Sequence, residues 1–255
     1  MSPDVSQEIL MRFSGKTVVV LGGNSGIGLA AAKAFQAEGA RVAVTGRNEA
    51  TLAAVAAEHG LLALRADVAD VAATRSALQH IQQELGNIDV LFANAGVGGF
   101  ATMDQVTESF WDEVHSVNLR GIFFAVQSAA PLMNDGGAVV ITGSIGSVLP
   151  LAGNAVYAAA KAGLRAAARI LGVELLPRKI RVNLMSPGPT DTEIFRRGTT
   201  PEQQAAMLEM MRNNVPMKRV AEPEEMARAV LFLASSDASY INGVDLFVDG
   251  GCVEL

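Results

Sequence analysis

Leu21-Gly22-Gly23-Asn24-Ser25-Gly26-Ile27-Gly28 follows at once on the apolar run Thr17–Leu21 and opens a helical pattern continuing to Glu38. A strand that turns through glycines straight into a helix has two physical consequences. The turn is tight, and the helix begins with unpaired N–H groups and a positive dipole end exposed to whatever approaches the loop. Glycines at 22, 26 and 28 also let backbone approach backbone or a phosphate without a Cβ in the way. An ordinary glycine-rich turn would look much the same, so the surrounding chain has to decide.

Working outward, short apolar runs alternate with helical patterns along the whole length. The predicted strands are Thr17–Leu21, Arg41–Thr45, Leu61–Arg65, Ile88–Phe92, Ala138–Thr142, Ile180–Met185 and Val244–Val248. Helical stretches between them include Gly26–Glu38, Ala50–Glu58, Val71–Leu85 and Val156–Leu175. The runs Val18–Leu21 and Ala138–Ile141 are continuously apolar, as expected where helices cover both faces of a parallel sheet. The pattern predicts a doubly wound α/β sheet, mostly parallel and seven-stranded. No linker, repeat or low-complexity segment divides it, so residues 14–255 read as one domain, preceded by a loose arm over 1–13. Residues 189–222 are long for a connection and hold Met207, Met210, Met211 and Met217, which predicts a lid. Core packing is the equal alternative for these methionines.

Composition narrows the function. Hydrophobic residues are 50% and charged residues 18% of the chain, below the usual quarter or so for charge, which excludes disorder. A net charge of −6 argues against a nucleic-acid partner. The single cysteine, Cys252, permits no internal disulfide and fits a reducing compartment. Met1–Arg12 lacks the apolar stretch of a secretion signal. The uncharged run Gly136–Ala160 holds Gly143, Gly146, Pro150, Gly153 and Asn154, which suit a site-forming loop better than a membrane helix. A soluble cytoplasmic protein is expected.

With these elements placed, the glycine spacing 22-26-28 resembles that of the short-chain dehydrogenase/reductase family, a Rossmann-type fold. Asn94-Ala95-Gly96 after the fourth strand is similar to that family's Asn-Ala-Gly element, which supports the sheet beside the adenine-ribose site. Asp67-Val68 corresponds to the adenine contact, and Pro187-Gly188 with Thr190 and Thr192 resembles the nicotinamide-binding turn. The likeness runs from Phe13 to Gly251. One departure is Leu21, where the family usually has a Thr bracing the Asn-Ala-Gly segment; a small effect on stability and none on activity is expected. The resemblance implies that Gly22, Asn24, Ser25, Gly26, Ile27 and Gly28 hold the cofactor pyrophosphate.

Tyr157 and Lys161 are spaced i, i+4 and so share a helix face. With Ser144 and Asn118 they resemble the family's Asn-Ser-Tyr-Lys tetrad. Tyr157 is then the general acid/base, Ser144 holds the substrate oxygen, Lys161 binds the nicotinamide ribose and lowers the Tyr157 pKa, and Asn118 fixes a water leading to solvent. The acidic residue that would accept from a ribose 2′-hydroxyl is missing after the second strand. Gly46 there leaves room, and Arg47, aided by Asn24 or Asn48, faces a 2′-phosphate, so NADP(H) is expected over NAD(H).

The expected reaction is hydride transfer between NADP(H) and a small-molecule ketone or secondary alcohol. A 3-oxoacyl-carrier-protein reductase is the enzyme alternative, with Arg178 and Lys179 as carrier contacts, although the turn Asn134-Asp135-Gly136-Gly137 before the fifth strand is acidic. A catalytically silent cofactor-sensing protein is the alternative of another class, disfavoured because Tyr157 and Lys161 are both present. The resemblance also implies a homotetramer through helices around 106–133 and 155–176 and the C-terminal strand ending Val248-Asp249-Gly250-Gly251, with a dimer as the alternative. His59, His80 and His115 lack metal-ligand spacing and read as surface residues, while Ser186 and Trp111 have no evident partner.

Overall fold

The computed structural model describes residues 11–192 and 200–255. Seven strands form one sheet: β1 (Thr17–Leu21), β2 (Arg41–Gly46), β3 (Leu62–Arg65), β4 (Ile88–Ala93), β5 (Met133–Thr142), β6 (Arg181–Pro187) and β7 (Asp245–Val248). Their order is β3-β2-β1-β4-β5-β6-β7 and every pairing is parallel. The eight α-helices among the described residues are α1 (Gly26–Ala37), α2 (Glu49–His59), α3 (Val71–Leu85), α4 (Glu108–His115), α5 (Ile122–Ala129), α6 (Ala155–Glu174), α7 (Pro201–Asn214) and α8 (Pro223–Ala234).

Alternation along the strands explains why both faces are covered. On β1, Val18 and Val20 enter one core with Phe35 of α1 and Val230 of α8. Val19 and Leu21 enter the other, with Ile81 of α3, Val126 of α5 and Leu164 of α6. Each such side chain contributes about 1.5–3 kcal/mol through burial, so two apolar faces per strand fix the doubly wound arrangement. The chain runs outward through β2 and β3, then crosses back to lay β4 on the other side of β1. That reversal opens a crevice at the carboxyl ends of β1 and β4, where ligands of such sheets bind.

Three expectations change. The run Asn134-Asp135-Gly136-Gly137 is not a turn before the fifth strand but lies inside β5: Met133 already pairs with Ile88, and the register shifts before Ala138 pairs with Val90. The extra residues form a bulge with Gly136 at φ +82°. Residues 1–10 lie outside the described part, but the end of the expected loose arm is packed. Phe13 is buried, edge-on to Phe35 at 4.8 Å between ring centroids, and Arg12 forks onto both Glu38 oxygens at 2.6 and 2.7 Å. The helical region expected around 106–133 is two α-helices joined by a π-helical turn, Ser116–Gly121. There a Cβ on Gly121 would come within 2.5 Å of Val68 O. Among the described residues no helix is long and apolar enough to cross a membrane.

Candidate active site

The glycine loop between β1 and α1 is shaped by what its missing Cβ atoms would strike. Gly22 has φ +73°, and a Cβ on it would lie 2.8 Å from Ala95 Cα. A Cβ on Gly28 would overlap Gly22 O and lie 2.7 Å from Asn94 Nδ2. The loop is therefore pressed onto the Asn94-Ala95-Gly96 segment. Asn94 Nδ2 donates to Gly22 O at 3.0 Å, and its Oδ1 accepts from Thr142 Oγ1 at 2.9 Å. With Leu21 wholly inside the core, the bracing hydroxyl comes from Thr142 on β5 instead of from position 21. Ser25 is the N-cap of α1 and its side chain makes no capping bond, and Ile27 lies in the first turn. The uncapped helix start and the close backbone suit a dinucleotide pyrophosphate. Thr192 lies over the loop, its Cγ2 3.4 Å from where a Gly26 Cβ would stand.

The residues expected around the adenine end gather at the carboxyl ends of β2 and β3. Arg47 is half exposed, with Nη1 3.8 Å from Asp67 Oδ2, while Asp67 Oδ1 accepts from Ala69 N at 3.0 Å. Val68 is buried. Asn48 caps α2 by accepting from Thr51 N at 3.1 Å, and Asn24 Nδ2 donates to Thr51 Oγ1 at 2.7 Å. The expectation that Gly46 leaves room is corrected: a Cβ there would meet Asn24 Oδ1 at 2.5 Å, so Asn24 fills that space. At the opposite end, Gly188 N donates to Val248 O at 3.0 Å. The Thr190 hydroxyl donates to Gly188 O at 3.0 Å, which closes the turn after Pro187.

Ser144, Tyr157, Lys161 and Asn118 meet where β5 ends. Ser144 stands two positions past the strand, its Oγ accepting from Gly146 N at 3.0 Å. It faces the Tyr157 ring across Gly146: a Cβ there would lie 3.2 Å from Ser144 Oγ and 3.6 Å from Tyr157 Cε1. Lys161, one helical turn along α6, is buried and donates to Thr142 O at 2.7 Å. Asn118 is wholly buried in the π-helical turn, where Oδ1 accepts from Val97 N at 3.1 Å and Nδ2 donates to Val97 O at 2.8 Å. One lone pair and one N–H of its amide remain beyond these two bonds. The Gly96 Cβ position falls 2.9 Å from Asn118 Oδ1 and 3.9 Å from Lys161 Nζ, so only glycine fits between them.

The electrostatics differ from the sequence expectation in one respect. Burial pushes the Tyr157 phenol above its ordinary value, and the Ser144 hydrogen bond opposes this. Lys161 was expected to lower it, but the ammonium is anchored on Thr142 O and burial dominates. Burial also lowers Lys161 from 10.5 to about 8. Below pH 8 the lysine is protonated in both the folded and unfolded chain, and the fold bears the cost of a buried charge. Above 10.5 it is neutral in both, so that cost disappears across the window between, where the unfolded chain binds more protons. The unfolding free energy of wild type relative to Lys161→Met should therefore be flat from pH 5 to 7. It should rise between about 8 and 10.5 by up to about 1.4 kcal/mol per unit. Denaturant unfolding at several pH values measures it; a flat difference throughout would mean that Lys161 is not held in a dry site.

Sequence reading missed four residues that the structure brings to this end of the sheet: Thr142, Ser186, Asp245 and Arg165. Ser186 does have a partner, Asp245 Oδ1 at 2.5 Å. The one available signal was Arg165 at i+4 from Lys161, on the same helix face. Trp111 also has a partner, stacking on His115 at 4.2 Å between ring centroids. Only His80 of the histidines is exposed; His59 and His115 are half-buried. No group of His, Cys, Asp or Glu among the described residues could hold a metal. Of the expected lid over 189–222, residues 193–199 lie outside the described part. Its helix α7 buries no residue fully; Met210 on the helix and Met217 beyond it are exposed, and Met207 and Met211 are half-buried, so these methionines are not deep core.

Known proteins resemble this chain over nearly its whole length. The family model described as enoyl-(acyl carrier protein) reductase matches residues 22–253. The chain is 37% identical over 241 residues to the 3-oxoacyl-(acyl-carrier-protein) reductase MabA of Mycobacterium tuberculosis, covering 94% of this chain and 93% of that protein. It is 34% identical over 250 residues to the 2,5-dichloro-2,5-cyclohexadiene-1,4-diol dehydrogenase LinX of Sphingobium indicum, covering 94% and 97%. Among solved structures, a short-chain dehydrogenase/reductase of Serratia marcescens superposes with a TM-score of 0.87 at 36% identity, covering 95% of this chain and 99% of that one.

Proposed function

Because the chain belongs to the short-chain dehydrogenase/reductase family, we propose that this oxidoreductase uses NADP(H) and acts on a ketone or a secondary alcohol. The observation that carries the reading is the convergence of Ser144, Tyr157 and Lys161 at the end of β5, beside the glycine loop. The nicotinamide, when bound, gives or accepts the hydride. In the reducing direction the Tyr157 hydroxyl gives its proton to the carbonyl oxygen, and Ser144 favours the resulting phenolate. Ser144 orients the substrate oxygen, Lys161 binds the nicotinamide ribose, and the remaining amide capacity of Asn118 holds the water through which Tyr157 is reprotonated. Gly22, Asn24, Ser25, Gly26, Ile27 and Gly28 hold the pyrophosphate. Asp67, Val68 and Asn94 to Gly96 flank the adenosine, and Pro187, Gly188, Thr190 and Thr192 line the nicotinamide side. The segment 200–222, with α7, covers the substrate as a lid.

A cytoplasmic homotetramer is the assembly we propose. Exposed Ile170, Val173 and Leu176 at the end of α6 support a subunit contact. A second reading, a 3-oxoacyl-carrier-protein reductase, is favoured by the likeness to MabA. Against it, Arg178 is engaged within the fold by Asp135 at 2.8 Å and by the Ala130 and Met133 carbonyls, so it is not free to meet an acidic carrier. A spectrophotometric panel of ketones, secondary alcohols and 3-oxoacyl thioesters with NADPH, NADH and their oxidised forms separates the readings. Turnover of simple ketones or alcohols is expected; turnover confined to 3-oxoacyl thioesters would select the second reading.

A further inference from the structure

Tyr157, Lys161 and Arg165 stand four residues apart on α6 and so share one face. Each is fastened to a different point at the site end of the sheet. Tyr157 stands beside Ser144, both within 3.6 Å of the Gly146 Cβ position, Lys161 Nζ meets Thr142 O at 2.7 Å, and Arg165 Nε lies 2.8 Å from Asp245 Oδ2. The third attachment has no part in the proton chemistry above, yet the Asp245 side chain is only 3% exposed. The Arg165 N–H is not aimed along the contact, so charge holds the pair and not an aligned hydrogen bond. The other carboxylate oxygen accepts the Ser186 hydroxyl at 2.5 Å, and a short bond to an ionised acceptor is of the strong kind.

Ser186 is wholly buried on β6. Gly143 N donates to Met185 O at 2.9 Å, which lays Gly143 beside Ser186. A Cβ on Gly143 would overlap Ser186 Oγ, so the hydroxyl lies flush against the Gly143 backbone. Gly143 joins Thr142, whose carbonyl holds Lys161, to Ser144, which stands beside Tyr157. An unpaired buried hydroxyl is costly and free to rotate; Asp245 fixes its direction and Arg165 offsets the carboxylate charge. Apolar side chains would fill the same space without desolvating a charge, so packing alone does not account for these three residue types.

We propose that Ser186, Asp245 and Arg165 form a positioning network that seats the Gly143 peptide and thereby sets the approach of Ser144 to Tyr157. None of the three touches the reacting atoms. The proposal rests on the reading of Tyr157 as proton donor, but its test needs no turnover. The chain has two tyrosines, and Tyr240 is fully exposed. In a Tyr240→Phe background Tyr157 is the one phenol left, and its ionisation is read from phenolate absorbance after a rapid alkaline jump. Ser186→Ala removes one oxygen and leaves Asp245 paired with Arg165, so the fold should tolerate it. Phenolate formation is expected to move to higher pH by about one unit, a ten-fold loss of phenolate at a given pH, because the Ser144 bond that favours the phenolate is loosened. Asp245→Ala should act in the same direction. Asp245→Asn, which keeps an oxygen for the Ser186 hydroxyl, should move the titration less than half as far. A Tyr157 titration unmoved by Ser186→Ala, or equal shifts for Asp245→Ala and Asp245→Asn, overturns the network, whatever thermal unfolding shows. Failure of the functional reading looks different: no turnover in the substrate panel, with a Tyr157 titration that still responds to Ser186→Ala.

Discussion

Tyr157→Phe is expected to lower kcat by about 10²–10⁴, the usual loss when a general acid is removed, while NADPH binding stays near wild type. The structure makes this a clean substitution. The ring keeps its packing on α6, and Ser144 Oγ keeps its bond from Gly146 N. The lost hydroxyl contact should cost about 1 kcal/mol of stability, too little to unfold the protein. Steady-state kinetics on any substrate found in the panel, with NADPH binding followed by its fluorescence, checks both halves. A near-wild-type kcat would remove Tyr157 from the proton path and with it the mechanism.

The second large effect concerns cofactor choice. Wild type is expected to prefer NADPH over NADH in kcat/KM, and Arg47→Ala to lose most of that preference through weaker NADPH binding. A charge-assisted hydrogen bond contributes about 1.5–3 kcal/mol, so the ratio should fall roughly ten- to a hundred-fold at about 1.4 kcal/mol per decade. The lower end is the better expectation, because Arg47 is 52% exposed and stands 3.8 Å from Asp67. Asn24, filling the space beside Gly46, is the second group that can meet the phosphate. For the same reason Gly46→Asp is a poor probe: its Cβ would displace Asn24 before any charge effect was felt. Kinetics with both cofactors on wild type and Arg47→Ala decide it, and an unchanged ratio would make this arginine a surface residue only.

The doubly wound sheet was legible because continuous apolar runs such as Val18–Leu21 bury both faces, a requirement written directly into residue type. The start of β5 was not, since Asn134 to Gly137 have turn chemistry and become strand only through a bulge against Ile88. Within the site, Tyr157 and Lys161 were legible from helical spacing. Ser186 and Asp245 were not, because periodicity tells which face a side chain takes but not which strand will lie beside it. Their meeting depends on β6 and β7 being neighbours, a property of sheet order. The upward direction of the Tyr157 shift was equally hidden, as it follows from burial, which spacing alone does not reveal.

The uniform strand direction also bears on how the chain reaches this structure. With all six pairings parallel, no neighbouring described strands can be joined by a tight hairpin, and the earliest contacts must close long loops. The central pairing of Val18 with Val90 requires β2, β3 and three helices to emerge first. Loop closure of that kind is slow, in the millisecond-to-second range typical of non-local topologies. Until it is complete, the unpaired backbone N–H and C=O groups along one edge of β1 remain open to other chains. The half-made sheet, rather than the finished enzyme, is therefore the species most in need of a chaperone.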